Sequence, residues 1–137
     1  MNTKRLLPAI LTVWLTDFLI HGFWMAPVYK ATMSLWRPEA EMQARFGWLL
    51  AGQFLAAAMF VMIWARGFAD RACLRCAVMY GLCMGAFSQS YTLISYAVSP
   101  FTIEIVWKWF VSGVLQGAVV GLVTFFVYKP APPVAAK

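Results

Sequence analysis

Four apolar stretches dominate this chain of 137 residues, and short polar or turn-forming segments separate them. A helix of about 20 apolar residues crosses the hydrocarbon core of a bilayer, and each stretch reaches that length. Too little of the chain is left over to form a separate soluble domain. We therefore expect one all-α membrane domain over residues 1–137, a four-transmembrane-helix bundle with these helices: Leu6–Val28, Phe46–Ala65, Cys76–Val98 and Ile103–Tyr128.

The connector over residues 29–45 contains the signature of a short helix. Pro38 precedes Glu39 and Glu41, and proline suits a first helical turn while acids suit the positive end of the helix dipole. With Trp36 and Met42 nearby, this helix fits one that lies on a membrane surface. An ordinary capped connector is an equal alternative.

Composition and charge place the chain in a membrane rather than on nucleic acid. It is 63% hydrophobic and 12% charged, whereas a soluble domain is about a quarter charged. In the first loop Lys30, Arg37 and Arg45 are offset by Glu39 and Glu41. The net charge of +6 comes mainly from seven other basic residues, which cluster at the opposite side of the expected bundle, beside the helix ends. By the positive-inside rule both termini are cytoplasmic, with the basic residues near anionic lipid headgroups. These basic residues are Lys4, Arg5, Arg66, Arg71, Arg75, Lys129 and Lys137.

The first apolar stretch has one feature of a cleavable signal peptide, because Lys4 and Arg5 precede it. However, the stretch is long, it contains Asp17 and His21, and no small-residue cleavage site follows it. We expect it to be retained as the first transmembrane helix.

Asp17 and His21 lie one helical turn apart inside this apolar stretch. A carboxylate at the centre of a bilayer costs roughly 2.5–3.5 kcal/mol even on insertion scales, so it needs a partner or a function. The fourth helix has polar residues at successive i,i+4 positions: Glu104, Lys108, Ser112 and Gln116. Gln53 and Gln89 fall at a comparable depth in the second and third helices. We predict a polar site in the outer half of the bundle, formed by Asp17, His21, Gln53, Gln89, Glu104 and Lys108.

This predicted cluster has two interpretations. It is either a structural polar network, in which Lys108 neutralises Glu104 or Asp17, or a ligand- or proton-binding site open to the outer side. In the second interpretation His21 titrates near neutral pH.

The sequence indicates no metal site and no catalytic residue, and it leaves any cofactor unknown. His21 is the only histidine, which excludes haem held by two histidines of one chain, and Lys108 would repel a divalent ion. Motifs of soluble-type catalysis are absent, so an enzyme is the less favoured class. Cys73 and Cys76 form a CxxC, for which a redox or metal pair is one interpretation; free thiols are the default in a reducing cytoplasm.

Glycines at every fourth position mark a close helix contact in the fourth helix. Gly113, Gly117 and Gly121 continue a GxxxG ridge, and small residues of this kind let membrane helices approach closely. The ridge suits either a contact within the chain or a homo-oligomer.

Three short segments resemble a group of small, uncharacterised four-helix bacterial inner-membrane proteins. They are His21-Gly22, Tyr128-Lys129-Pro130 and the run Leu35-Trp36-Arg37-Pro38-Glu39-Ala40-Glu41-Met42. The resemblance implies four helices and a bacterial inner membrane, and it implies no activity.

Two functions of different classes follow from the sequence. The leading one is a membrane protein that binds or transports a small molecule or ion at the outer polar site, in a homo-oligomer if it transports. The alternative is a non-catalytic accessory subunit or assembly factor of a larger membrane complex.

Overall fold

The computed structural model describes residues 6–69 and 73–128, and these residues form helices and turns without a β-strand. The first long helix, α1, covers Leu7–Leu19 and continues into a π-helical turn at Ile20–Trp24. The connector contains α2 (Ala26–Ala31), a 3₁₀ turn (Met33–Leu35) and α3 (Glu39–Ala44). The remaining long helices are α4 (Phe46–Gly67), α5 (Leu74–Val98) and α6 (Ile103–Val127).

The expected continuous first helix is interrupted near its end. The π-helical turn closes with a bond from the Met25 amide to the Ile20 carbonyl, 2.8 Å long. Pro27 then lies in the first turn of α2, where its missing N–H removes no helical bond. The first helix, expected over Leu6–Val28, therefore ends at Trp24, and Pro27 belongs to the next helix. The short helix predicted after Pro38 is confirmed as α3.

Within residues 6–69 and 73–128, three helical segments are long and apolar enough to cross a membrane: Leu7–Trp24, Phe46–Gly67 and Ile103–Val127. The fourth expected crossing corresponds to α5, which has 25 residues and therefore the length. Its half toward residue 98 contains serines, Gln89 and Thr92, which lower its hydropathy below that of the other three. The basic residues Lys4, Arg5, Arg71, Lys129 and Lys137 lie outside the described residues.

Helices α5 and α6 are antiparallel neighbours, and they pack through their glycines. A Cβ atom on Gly85 would lie 2.8 Å from the Gly113 carbonyl oxygen, and one on Gly121 would lie 2.5 Å from the Ala77 carbonyl oxygen. A Cβ on Gly117 would overlap the Gly81 carbonyl. The ridge is thus buried within the chain, and in this arrangement a homo-oligomer would need another surface.

The bundle is layered along its axis. At the end where α1 begins and α6 finishes, an apolar cluster includes Phe60, Val61, Trp64 and Tyr80. At the opposite end, which we call the connector end, Met25, Val28 and Ile105 are buried under Trp36 and other aromatic side chains. Between the two clusters the four long helices enclose polar residues, and this middle layer contains the candidate site.

Candidate functional site

A polar cavity of about 340 Å³ occupies the middle layer of the bundle, and residues of all four long helices line it. The apolar part of its lining includes Trp109 and the small residues Gly52 and Ala56 of α4. Its polar lining consists of Asp17, His21, Gln53, Gln89, Thr92, Ser112 and Gln116. Four of the six predicted site residues therefore meet here: Asp17, His21, Gln53 and Gln89.

Two amide side chains hold the Asp17 carboxylate from opposite helices. Gln116 Nε2 donates to Asp17 Oδ1 at 2.6 Å, and it also lies 2.7 Å from Thr16 Oγ1. Gln53 Nε2 donates to Asp17 Oδ2. Two N–H donors match the acceptor-only, ionised form of a carboxylate. One side chain of α1 thus joins α4 and α6.

His21 belongs to a second hydrogen-bonded chain, which reaches the connector. Its Nδ1 lies 2.6 Å from the Tyr29 hydroxyl oxygen, and Trp109 Nε1 donates to that same oxygen at 2.8 Å. Since the Trp109 indole only donates, the Tyr29 hydroxyl accepts from it and can donate its own proton to His21. This arrangement favours the neutral His21 tautomer that has its proton on Nε2.

The Tyr29 hydroxyl remains protonated at neutral pH. Burial raises the pKa of Tyr29 above its usual value of 10.0; the Trp109 hydrogen bond opposes this shift, and the negative charge of Asp17 adds to it. Tyr29 is therefore a permanent donor to His21 rather than a proton-exchanging group.

Replacing Tyr29 by phenylalanine should shift the tautomer ratio of His21. The loss of one hydrogen bond of about 1 kcal/mol corresponds to about a fivefold change in that ratio. Because the chain has one histidine, protein labelled with ¹⁵N-histidine gives a single pair of imidazole signals that report the ratio directly. Tyr96→Phe, an exposed change on α5, is the control and should leave the signals in place. Identical spectra for Tyr29→Phe and the wild type would contradict the hydrogen bond from the Tyr29 hydroxyl to His21.

A larger, mostly apolar groove of about 910 Å³ adjoins the polar cavity at the connector end. Asp17, His21 and Gln53 line both spaces and so lie between them. The other residues lining the groove come from the connector and the start of α4: Tyr29, Lys30, Met33, Trp36, Arg37, Pro38, Glu39, Met42 and Leu49. Arg37 pairs with Glu41 at 3.4 Å. The groove gives the polar cavity a vestibule toward the connector.

Glu104 and Lys108 do not line the cavity, so the structure does not bring these two predicted site residues together with the other four. The two residues pair with each other, with Lys108 Nζ at 2.6 Å from Glu104 Oε1. The reason is helical geometry. Each i,i+4 step advances about 40° beyond a full turn, so Glu104 lies about 120° around the helix from Gln116.

Several residues of the site were absent from the predicted set. Gln116 and Ser112 belonged to the polar face noted in α6, but they were not assigned to the site. The signal that separates them from Glu104 is the stripe Trp109, Ser112, Gly113 and Gln116, whose spacing keeps one face of a helix toward a bundle core. The Tyr29 contact had no signal in the sequence, because it depends on how the connector folds back.

The described residues contain no group of three or more His, Cys, Asp or Glu side chains that could hold a metal ion. Asp17 and His21 alone provide too few ligands for a tight metal site.

The CxxC lies far from the cavity, at the start of α5. Cys73 and Cys76 form a disulfide with a Cα–Cα distance of 5.0 Å, and Cys83 is a free, exposed cysteine. The expectation of free thiols at the CxxC was therefore wrong. Cys73 caps the helix and Cys76 is in its first turn, which brings the two side chains together.

No protein-family model, curated protein or solved structure matches the chain. The resemblance to small four-helix bacterial inner-membrane proteins therefore stays a prediction. The properties of the site have to be argued from its own geometry.

Proposed function

We propose that the chain is a multi-pass protein of a bacterial inner membrane, in which α5 is the fourth membrane-crossing helix. Its 25 residues span about 37 Å, enough for the hydrocarbon core, and its glycines pack it closely against α6. Arg66 at the end of α4 and Arg75 at the start of α5 lie at one end of the bundle. By the positive-inside rule we assign that end and both termini to the cytoplasm and the connector end to the outside. The Cys73–Cys76 disulfide lies at the same end and points the other way, because disulfides are rare in a reducing cytoplasm.

We propose that the polar cavity binds a small molecule or ion from the outer side, in exchange with protons at Asp17 and His21. The observation that carries this proposal is an uncompensated carboxylate. Within residues 6–69 and 73–128, Asp17 forms no ion pair, and the one lysine expected to neutralise it, Lys108, is held by Glu104. Neutral amides position a charge but do not cancel it. A charge kept in an apolar span beside an open cavity is typical of a binding or proton-transfer site.

The Asp17→Asn variant should lose a bound species that the wild-type protein retains. We would purify both from membranes in a mild detergent and compare their native mass spectra for lipid, small-molecule and ion adducts. Glu104→Gln is the matched control, because it removes a carboxylate at the connector end of α6 that lies outside the cavity. An adduct shared by the wild type and Glu104→Gln but absent from Asp17→Asn supports the site. Adducts that are the same in all three proteins would contradict it.

One observation favours the alternative, an accessory subunit of a larger membrane complex. Helix α5 presents Ser88, Ser90 and Tyr91 as exposed residues in the span assigned to the membrane. The Ser88 and Ser90 hydroxyls donate to the Gly85 and Phe87 carbonyls of their own helix, so Tyr91 is the residue whose hydroxyl lipid would leave without a hydrogen-bond partner. An exposed Tyr91 at this depth suits a protein neighbour. The same native spectra distinguish the two functions, since an accessory subunit would carry a stoichiometric protein partner that Asp17→Asn retains.

A further inference from the structure

The polar cavity and the adjoining groove differ in charge, and this difference defines a ligand class. We propose that the cavity binds a small organic cation, a protonated amine whose N–H groups donate to the Asp17 carboxylate. This inference rests on the binding function proposed above and specifies its ligand.

The charge of the cavity calls for a positive ligand. Among the described residues that line the cavity, Asp17 is the only acidic one, His21 is the only histidine, and there is no lysine or arginine. Lys30 and Arg37 line the groove and not the cavity, and Arg37 is paired with Glu41. A charge in a poorly solvated space attracts its counter-ion more strongly than it would in water. The cavity therefore favours a cation.

The hydrogen bonding of Asp17 leaves room for such a ligand. An ionised carboxylate has about four lone-pair sites, and Gln53 and Gln116 occupy two of them. The remaining sites can accept N–H donors of an ammonium group, which has no acceptor of its own. The amide hydrogens keep the carboxylate in place while the ligand enters and leaves.

The size of the cavity favours an organic cation over a bare metal ion. A volume of 340 Å³ corresponds to roughly ten water molecules at about 30 Å³ each, and it reaches the lower range of small-molecule sites. A metal ion would need several further hard or imidazole ligands near Asp17, and the described residues provide no such group.

Trp109 provides a fixed aromatic wall. Its ring packs against Phe101 at 5.3 Å and Trp36 at 5.9 Å between ring centroids, and its Nε1 is bound to the Tyr29 hydroxyl. Indole is the side chain with the strongest attraction for organic cations, and a ring that is already ordered needs no further ordering on binding. Asp17 and Trp109 together suit an amine attached to a compact carbon skeleton.

The test is isothermal titration calorimetry of the full-length protein in detergent with three aromatic compounds of similar size: benzylamine, benzyl alcohol and benzoate. We expect benzylamine to bind at least about tenfold more tightly than benzyl alcohol, because only the amine brings a positive charge to the hydrogen bond with the Asp17 carboxylate. Benzoate should not bind. Asp17→Asn should reduce benzylamine affinity to the level of the alcohol, and Glu104→Gln should leave it unchanged.

A second pair of variants tests the place of binding without touching a polar group. Gly52 and Gly47 both lie in α4 with open space where a Cβ would be, but only Gly52 lines the cavity. Gly52→Leu should abolish benzylamine binding, and Gly47→Leu should retain it.

Equal affinities for the amine and the alcohol, tighter binding of benzoate, or tighter binding of Na⁺ than of benzylamine would overturn the cation assignment. If native mass spectrometry shows an Asp17-dependent adduct while benzylamine fails to bind, the proposed binding function is supported and the assignment to organic cations is contradicted.

Discussion

Replacing Gly117 by leucine should lower the free energy of unfolding by about 3 kcal/mol or more, at the upper end of what overpacking costs. A Cβ at this position would lie 2.9 Å from Gly85 Cα and 3.0 Å from the Gly85 nitrogen, besides overlapping the Gly81 carbonyl. All three are backbone atoms, so no side chain can rotate away and α5 and α6 must separate. Unfolding by SDS in mixed micelles, followed by circular dichroism, measures the change.

The control for Gly117→Leu is Gly47→Leu, which adds the same side chain to another transmembrane helix. A Cβ on Gly47 would meet nothing within 4 Å, and leucine has the better helix propensity by roughly 0.5–1 kcal/mol. Gly47→Leu should therefore leave stability unchanged or raise it slightly. If the two variants lost equal stability, the close packing of α5 against α6 would be contradicted.

The helical fold could be read from the sequence largely because apolar length and glycine spacing are local properties. The ridge of Gly113, Gly117 and Gly121 predicted a close helix contact, and in the structure this ridge packs against α5. The π-helical turn at Ile20–Trp24 could not be read in this way. The apolar periodicity of α1 carries no record of this turn, which leads into the connector.

The candidate site was only partly predictable, because the direction in which a side chain points around its helix is harder to predict than its depth along the helix. Depth along a helix follows from residue number, so Asp17, His21, Gln53 and Gln89 were placed in one layer and the structure brings them together. Direction around a helix accumulates error with each i,i+4 step, so Glu104 was assigned to a face that it does not share with Gln116. The charge balance of the site changes accordingly. Lys108 pairs with Glu104, and the Asp17 carboxylate is bound by the neutral amides of Gln53 and Gln116 instead of by a positive charge.

Replacing Gln116 alone by leucine should destabilise the protein by about 1–3 kcal/mol, while the double change Asp17→Leu with Gln116→Leu should recover that loss. Gln116 donates to Asp17 Oδ1 at 2.6 Å, so its removal leaves a carboxylate oxygen without its donor in a largely apolar span. Removing both partners eliminates the charge as well, and replacing a buried polar pair by apolar groups is often neutral or stabilising. The same SDS titration gives both values.

The double variant separates the two interpretations of Asp17. If Asp17 serves mainly as a structural partner that fixes the helices, the double variant should be less stable than either single one, because the link between α1 and α6 is then lost altogether. If Asp17 is retained for binding, the double variant should equal or exceed the wild type in stability and bind no ligand in the cavity. Glu104→Leu with Lys108→Leu is the matched control. It removes an ion pair of α6 that lies outside the cavity, so ligand binding should survive it. A carboxylate whose removal stabilises the bundle and abolishes binding is one that the protein retains for its ligand.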